Sequence, residues 1–458
     1  MEKIAALTDI GNSERFVSQH KDDVRYCPQY KSWLYRTGTR WLLDRVGYIT
    51  RLAKQTAEAI ESEILLTDDL KLREKIISHG QRSQSWSRIK AMIKLAESWP
   101  ELQIDIAQLD ANTMLLNCEN GTVNLRTGEL LPHSKENYIT KSTGVEYNKD
   151  AECPLWLQFL HKIMAGNESL IHYLCLILGY CLTGLATEQC LFIFNGFGAN
   201  GKSTFLAIIR KILGDYAMHT PHTTLLKMHS RIRNDLARLQ GARFASLVET
   251  GSGNKLNEPL TKELTGGDPI TARFLFKEYF EQIPTFKLFI ATNCLPTIQG
   301  TDHGIWRRIR IIPFDVVLKD EEIDRNLAKK LEAELPGILS WAIKGCLEWQ
   351  KNGLVMPDEV QSATAEYKED SDVISKFIDD CCEQGCDKNI SIKNLYDAFK
   401  NWCDENADDV LSKKTFGHFL KQRGFKQSKS NGIRSWKGIG LSSADSTEPQ
   451  PEASPALH

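Results

Sequence analysis

The stretch NGFGANGKSTFL, Asn195 to Leu206, follows the apolar run CLFIF (190–194) and opens onto FLAIIRKILGDYA, whose apolar positions recur at helical spacing. Gly196 through Ser203 fits G-x-x-x-x-G-K-[ST], with Gly201, Lys202 and Ser203 as its fixed end, between an apolar strand and a helix as the motif requires. Glycines let successive backbone N–H groups curl around phosphates, and the start of the following helix adds positive potential. Gly196, Gly198, Ala199, Asn200, Gly201, Lys202, Ser203 and Thr204 are therefore the residues expected to hold ATP. Lys202 would reach the β- and γ-phosphates, and the Ser203 hydroxyl would ligate Mg²⁺.

Working outward, a loop of this kind needs a second strand that ends in an acid. ARFASLVETG offers Phe244 to Val248 as the strand and Glu249 as a metal-holding, water-polarising carboxylate; the alternative is a buried strand that ends in a capping acid. A third strand, FKLFIATN, ends at Asn293, whose amide suits an attacking water or a γ-phosphate, although asparagine also ends strands for turn reasons. GIWRRIRIIPF then sets Arg307, Arg308 and Arg310 before another apolar strand. An arginine beside a γ-phosphate stabilises transition-state charge, often from a neighbouring subunit, while a solvated strand edge would need no such role. Between Glu249 and Asn293, the β-prone runs ITARFLF and YFEQIPTF flank Lys277-Glu278 and predict a hairpin with a basic tip, which would meet phosphates in a DNA motor or be a plain exposed turn.

These residues carry a family likeness. The glycine loop, Glu249, LTGGDPITARFLFKE, FIATN and GTDHGIWRRIRIIPF, in this order and spacing, resemble the superfamily 3 helicase domain of phage and plasmid primase-helicases, the group that also includes the poxvirus primase-helicase. The likeness covers Cys190 to Phe314, and the segment from about Asn112 to Leu182 resembles the helical region that precedes the motor in that family. The resemblance implies an AAA+-type ATPase assembled as a ring, usually a hexamer, that moves 3′ to 5′ on single-stranded DNA with ATP between subunits. Lys202 and Ser203 match its first motif, Glu249 its second-motif acid, Asn293 its sensor, Arg307 or Arg308 its arginine finger, and Lys277 its DNA-contacting hairpin. Two departures stand out. Thr250 replaces the second acid many members carry, and no strand with closely spaced aspartates precedes Asn112, since Asp22-Asp23 and Asp68-Asp69 lie in polar segments. A helicase without priming activity of its own is therefore expected.

The remaining chain frames this motor. With 458 residues, about three domains are expected, and 41% hydrophobic with 25% charged residues is ordinary soluble usage. No apolar run reaches membrane-spanning length, and no secretory signal opens the chain, so a cytoplasmic protein with reduced cysteines is expected. The Cys381, Cys382, Cys386 and Cys403 group lacks paired C-x-x-C spacing and reads as core rather than zinc. From Leu411 to Leu441 there are eight Lys/Arg and no acid. Helix, loop, helix and a hairpin around Ser430-Asn431-Gly432 suggest a winged helix, with Ser412 capping KKTFGHFLKQRG. Lys413, Lys414, Lys421, Arg423, Lys426, Lys429, Arg434 and Lys437 would neutralise DNA phosphates there, or form a solvated face or a surface for a partner protein.

The fold class expected is α/β multidomain with an AAA+-type P-loop ATPase core. It comprises a mixed α/β domain at 1–111, a helical region at 112–185, the motor at 186–318, a helical extension at 319–371, the winged helix at 372–441 and a disordered tail at 442–458. The expected function is a replicative DNA helicase of a phage, prophage or plasmid, acting on single-stranded and forked DNA as a homo-hexamer, with a separate primase or replication initiator as a possible partner. The alternative is a nucleotide-switched DNA-binding or loader ATPase that does not unwind.

Overall fold

Two small antiparallel sheets and a packet of helices precede the glycine loop in the computed structural model, which describes residues 4–221, 224–226, 234–248, 254–273, 279–298, 300, 302–406, 409–430 and 433–442. The first sheet orders β1 (Val24–Cys27), β2 (Ser32–Arg36) and β3 (Trp41–Leu43), and Arg36 pairs with Trp41 across the turn at Thr37-Gly38. Around it, α1 (Asp9–His20), α2 (Tyr48–Ala59), α3 (Leu70–Ser83) and α4 (Trp86–Ala96) bury Phe16, Ala53 and Met92. The paired aspartates are structural here. Asp69 caps α3 by accepting from the Lys71 and Leu72 N–H groups, and Asp22 is bridged to Lys135.

Residues 112–185 combine short strands with the helices expected of them. They begin with a second sheet, β4 (Leu115–Asn117), β5 (Thr122–Asn124) and β6 (Glu129–Leu131), before the helical pair α5 (Pro154–Ile163) and α6 (Glu168–Leu182). The Asn167 side chain accepts from the Leu170 N–H and starts α6, as the Gly166-Asn167 break predicts.

The next block alternates strand and helix: β7 (Leu191–Asn195), α7 (Lys202–Leu213), β8 (Ala217–His219), α8 (Asn234–Arg238), β9 (Phe244–Val248), α9 (Glu258–Gly266), the short strands β10 (Ile270–Ala272) and β11 (Phe280–Gln282), then β12 (Lys287–Thr292), α10 (His303–Trp306) and β13 (Ile309–Pro313). Five of these strands form one parallel sheet in the order β13-β7-β12-β9-β8. Strands such as LFIF and KLFIAT are buried along their length because helices cover both faces, so they read as continuous rather than alternating apolar runs. β10 and β11 pair outside this sheet, Ile270 opposite Gln282, as the base of the expected hairpin. Lys277 at its tip lies outside the described residues, as does Glu249 after β9.

Three helices follow, α11 (Leu327–Glu332), α12 (Leu335–Asn352) and α13 (Asp358–Asp370). α6 is buried over nearly its whole circumference, and α12 packs along it so closely that a side chain at Gly179 would collide with the Cys346 backbone. One core therefore runs from Met114 through Trp156, Phe205 and Phe314 to Val360, and a second, around Leu191, Leu247, Ile290 and Tyr367, fills the other face of the sheet.

The last module is α14 (Val373–Cys381), β14 (Cys382–Ser391), α15 (Ile392–Glu405), α16 (Lys413–Gln422), β15 (Lys426–Ser430) and β16 (Ile433–Leu441), with its own core around Phe377, Phe399, Phe416 and Trp436. Ser412 caps α16 through the Thr415 N–H as expected. The strand β14 was not expected: CEQGCDKNIS has no apolar alternation, and it is held by pairing with β16. The turn at Asn431-Gly432 and the tail from residue 443 lie outside the described residues.

Candidate functional site

The loop between β7 and α7 opens onto a cavity of about 870 Å³, lined by Gly198, Ala199, Asn200, Gly201, Lys202, Ser203, Thr204 and Asn293 among others. Gly201 adopts φ +83° as N-cap of α7, and a side chain there would meet the Ile163 Cγ2 at 2.5 Å. The loop is stapled from beneath: the buried Asn200 amide donates to the Phe197 carbonyl at 2.6 Å and the Phe314 carbonyl at 3.0 Å. Its side chain is thus spent on shaping the loop, leaving its backbone for the cavity. Ser203, exposed in the first turn of α7, lines the cavity with an oxygen of the type Mg²⁺ accepts.

Lys202 is 6% exposed. Its ammonium donates to the Gly196 carbonyl and, at 3.2 Å, to Asn293 Oδ1, and burial pushes its pKa down. Asn293 arrives there because β12 lies between β7 and β9, with Thr292 level with Asn195. The arrangement suits a polyanion: a charged lysine held by two exchangeable acceptors, an exposed hydroxyl and a helix start converge on one open space.

The arginines sit elsewhere. In the β7–β13 register Ile309 is level with Leu191, so Arg307 and Arg308 stand at the beginning of the strands, about 16 Å of strand rise from the loop end. Arg308 is buried, its guanidinium donating to Thr265 Oγ1 at 3.1 Å and the Gly304 carbonyl at 2.5 Å. Arg310 donates to the Arg307 and Ile309 carbonyls at 2.8 and 2.9 Å. Arg307 is exposed and contacts Gln189 Oε1 at 2.6 Å.

In the terminal module Lys413, Lys414 and Lys421 of α16, Lys426 and Lys429 of β15, and Arg434 and Lys437 of β16 are exposed. Arg423 differs. Its guanidinium pairs with Asp372 and donates to Ser375 Oγ at 3.2 Å, locking α16 to the start of α14. Across the hairpin, Lys426 is directly opposite Lys437 and Lys429 opposite Arg434.

Sequence reasoning did not find the other wall of the cavity. Leu155, Gln158, Phe159 and Lys162 of α5, with Leu318, Glu322, Ile323, Asp324 and Leu327 beyond β13, face the loop from segments distant in the chain. No motif marks them; only the packing of α5 and α11 against the loop brings them together.

Comparison with known proteins gives this geometry a lineage. A family described as D5 N terminal like matches residues 13–165, a family of unknown function matches 194–308, and one described as Poxvirus D5 protein-like matches 369–438. The first crosses the boundary expected at 111 and takes in the N-terminal region that no motif had assigned. A helicase-named protein of Acanthamoeba polyphaga mimivirus, L207/L206, is 30% identical over 328 residues, 66% of this chain and 34% of its own length. Another helicase-named protein, 184R of Invertebrate iridescent virus 6, is 26% identical over 503 residues, 88% of this chain and 51% of its own. The chain thus spans about a third to a half of these relatives' length. Among solved structures, the apo form of the NrS-1 C terminal region superposes with a TM-score of 0.52 at 11% identity, covering 93% of this chain and 99% of that one, a likeness of fold. No helix among the described residues is long and apolar enough to cross a membrane. With residues 13–165 and 369–438 both matched by D5 families and helicase-named viral proteins aligned along most of the chain, the similarities support a poxvirus D5-like primase-helicase family.

Proposed function

We propose that this chain is an ATP-hydrolysing DNA helicase of the superfamily 3, AAA+ type, working as a homo-hexameric ring that moves 3′ to 5′ on single-stranded DNA. The observation that carries the reading is the division of the parallel sheet into two ends. At one, Lys202, Ser203 and Asn293 line a cavity sized for a nucleotide; at the other stands the exposed Arg307. Arg307 and its own cavity are separated by the length of the sheet, so Arg307 serves the cavity of the next subunit and the ring is the active unit. Arg308, buried and bonded within its own subunit, holds that corner in place.

The chain's own groups divide the work. Lys202 exchanges its Gly196 and Asn293 acceptors for phosphate oxygens, the backbone N–H groups of residues 198–204 cradle the phosphates, and the freed Asn293 amide orients the attacking water. Ser203 and Glu249 would hold Mg²⁺, which supplies charge neutralisation between the β- and γ-phosphates when bound. Glu249 activates the water, and Arg307 of the neighbour stabilises charge at the leaving phosphate.

Lys277, which lies outside the described residues, would contact the translocated strand. The terminal module, whose helix–strand–helix–helix–strand–strand order fits a winged helix, binds duplex or fork DNA through Lys413, Lys414, Lys421, Lys426, Lys429, Arg434 and Lys437. Like charges placed directly opposite on a two-stranded ladder oppose folding, so Lys426–Lys437 and Lys429–Arg434 favour a polyanion that neutralises both pairs.

Strand displacement on a forked duplex with a 3′ tail tests the reading: ATP-dependent unwinding is expected from the wild type and none from Lys202→Ala. DNA-stimulated ATP hydrolysis without displacement would overturn the helicase reading in favour of a loader.

A further inference from the structure

Arg307 is an exposed, many-jointed side chain at the C-cap of α10, where its backbone N–H is spent on the His303 carbonyl. An arginine that must reach a phosphate gives up rotamer freedom each time it does so, and a group that holds the guanidinium beforehand lowers that cost. Gln189, at the entry to β7, is such a group. Its Oε1 accepts from Arg307 Nη2 at 2.6 Å.

Gln189 is itself fixed from the other side. Its Nε2 donates at 2.8 Å to the carbonyl of Gly266, in the last turn of α9, where carbonyls have no partner within the helix. Because a guanidinium only donates and a carbonyl only accepts, these two partners also set which way round the amide lies. The backbone is turned to suit. Gln189 has φ +49°, in the left-handed region that a side-chain-bearing residue enters only at a cost, and such outliers persist where the surroundings impose them. The acid next to it is directed elsewhere: the Glu188 carboxylate accepts from Trp349 Nε1 at 2.7 Å. Among the described residues no carboxylate is bonded to Arg307.

A neutral acceptor is what a charge-stabilising arginine needs. A carboxylate in the same place would grip the guanidinium with two bonds and cancel the charge it has to deliver. An amide orients it through one bond and leaves its charge and its other N–H groups for the anion. Resting on the reading that Arg307 serves the cavity of the next subunit, we propose that Gln189 is a positioning residue for ATP hydrolysis, holding the Arg307 guanidinium ready for the neighbour's phosphate. Gln189 touches no phosphate itself.

Gln189→Ala and Gln189→Gly both remove the amide, and glycine takes φ +49° without strain, so agreement between the two assigns the effect to the side chain. Each is expected to lower kcat for ATP hydrolysis about tenfold, with KM within about twofold and circular dichroism unchanged. Gln189→Glu is expected to lower kcat further, because its carboxylate neutralises Arg307 and loses the donor to Gly266. Adding Gln189→Ala to Arg307→Ala is expected to cost nothing more. Mixed assemblies locate the effect: Gln189→Ala subunits should gain activity over the separate populations when mixed with Lys202→Ala subunits, and gain none when mixed with Arg307→Ala subunits. A wild-type kcat in the Ala and Gly variants, a Glu variant as active as the wild type, an additive loss in the double variant, or a gain with Arg307→Ala subunits would each overturn the role. If Lys202→Ala and Arg307→Ala subunits gain nothing together, the reading of Arg307 itself fails, a pattern distinct from any Gln189 result.

Discussion

Two buried lysines mark opposite ends of the same parallel sheet, and they do different things. Lys202 stands after β7, 6% exposed, and Lys287 begins β12, 3% exposed. Both donate to a backbone carbonyl, Lys202 to Gly196 and Lys287 to Thr183, and burial lowers the pKa of each. The difference is what lies beyond the ammonium. Lys202 borders an open cavity and its second acceptor is the side chain of Asn293. Lys287 is closed in beneath the Tyr180 ring, 4.6 Å from its centroid, at the carbonyl end of α6. Its neighbour Arg243 donates to the Leu182 carbonyl and, at 2.6 Å, to the Leu115 carbonyl. Cations at a helix C-terminus satisfy carbonyls that would otherwise lack partners. Burial of charge alone therefore does not identify a working residue; access to an exchangeable acceptor does.

Breaking the cavity end should have the largest effect. Lys202→Ala is expected to lower ATP hydrolysis by about three orders of magnitude, as the loss of a phosphate-bound cation does, with circular dichroism unchanged. Phosphate release near the wild-type rate would erase the contrast with Lys287. The arginine pair sharpens it next. Arg307→Ala is expected to cost about a hundredfold in ATP turnover with an unchanged melting temperature, whereas Arg308→Ala loses stability first. Mixing Arg307→Ala with Lys202→Ala subunits should restore part of the activity, because some interfaces then combine two intact halves.

At the closed end the expected signal is a pH dependence of stability. The Lys287 pKa is held at about 7, against 10.5 for an ordinary lysine, by burial, with Arg243 adding repulsion and the thiols of Cys181, Cys346 and Cys190 opposing the shift. Between those values the unfolded chain binds a proton that the folded chain does not, so stability rises with pH across that window; below it both forms are protonated and the cost is constant. The urea midpoint of the wild type should climb from pH 7 to about pH 9.5 relative to Lys287→Met, which removes the titrating group. Parallel pH profiles would place the ammonium's compensation higher than burial implies.

The smallest effect belongs to the basic ladder. Lys426→Gln with Lys429→Gln is expected to lower the salt slope of duplex binding by about one per lysine while raising the module's stability by a few tenths of a kcal/mol, roughly the relief of two like-charge pairs. A variant that binds DNA with an unchanged slope would assign the ladder to another partner.

The glycine-loop side of the cavity was legible because each piece is a local pattern: glycines that permit a tight turn, a lysine and serine at a fixed offset, and an asparagine ending an apolar strand. Ser412 was legible for the same reason, as a cap needs only three residues of context. Asn200 was read as a ligand contact and its side chain turned out to shape the loop, because its partner Phe314 is 114 residues away. β14 escaped notice since its ladder comes from β16, and Arg423 looked like its basic neighbours until Asp372, 51 residues earlier, was brought beside it.

By itself, then, the sequence determined the strand, glycine loop and helix around Lys202 and the likeness to superfamily 3 helicases, both of which rest on spacing within short windows. Only the tertiary structure decided which cations border an open cavity and which segments form its second wall. The strand order sends Asn293 beside Lys202 and Arg307 to the far end, and the packing of α6, α12 and α5 closes Lys287 in while leaving Ile323 uncovered. Exposure and electrostatic partnership depend on contacts between residues far apart in the chain, and no local pattern encodes them.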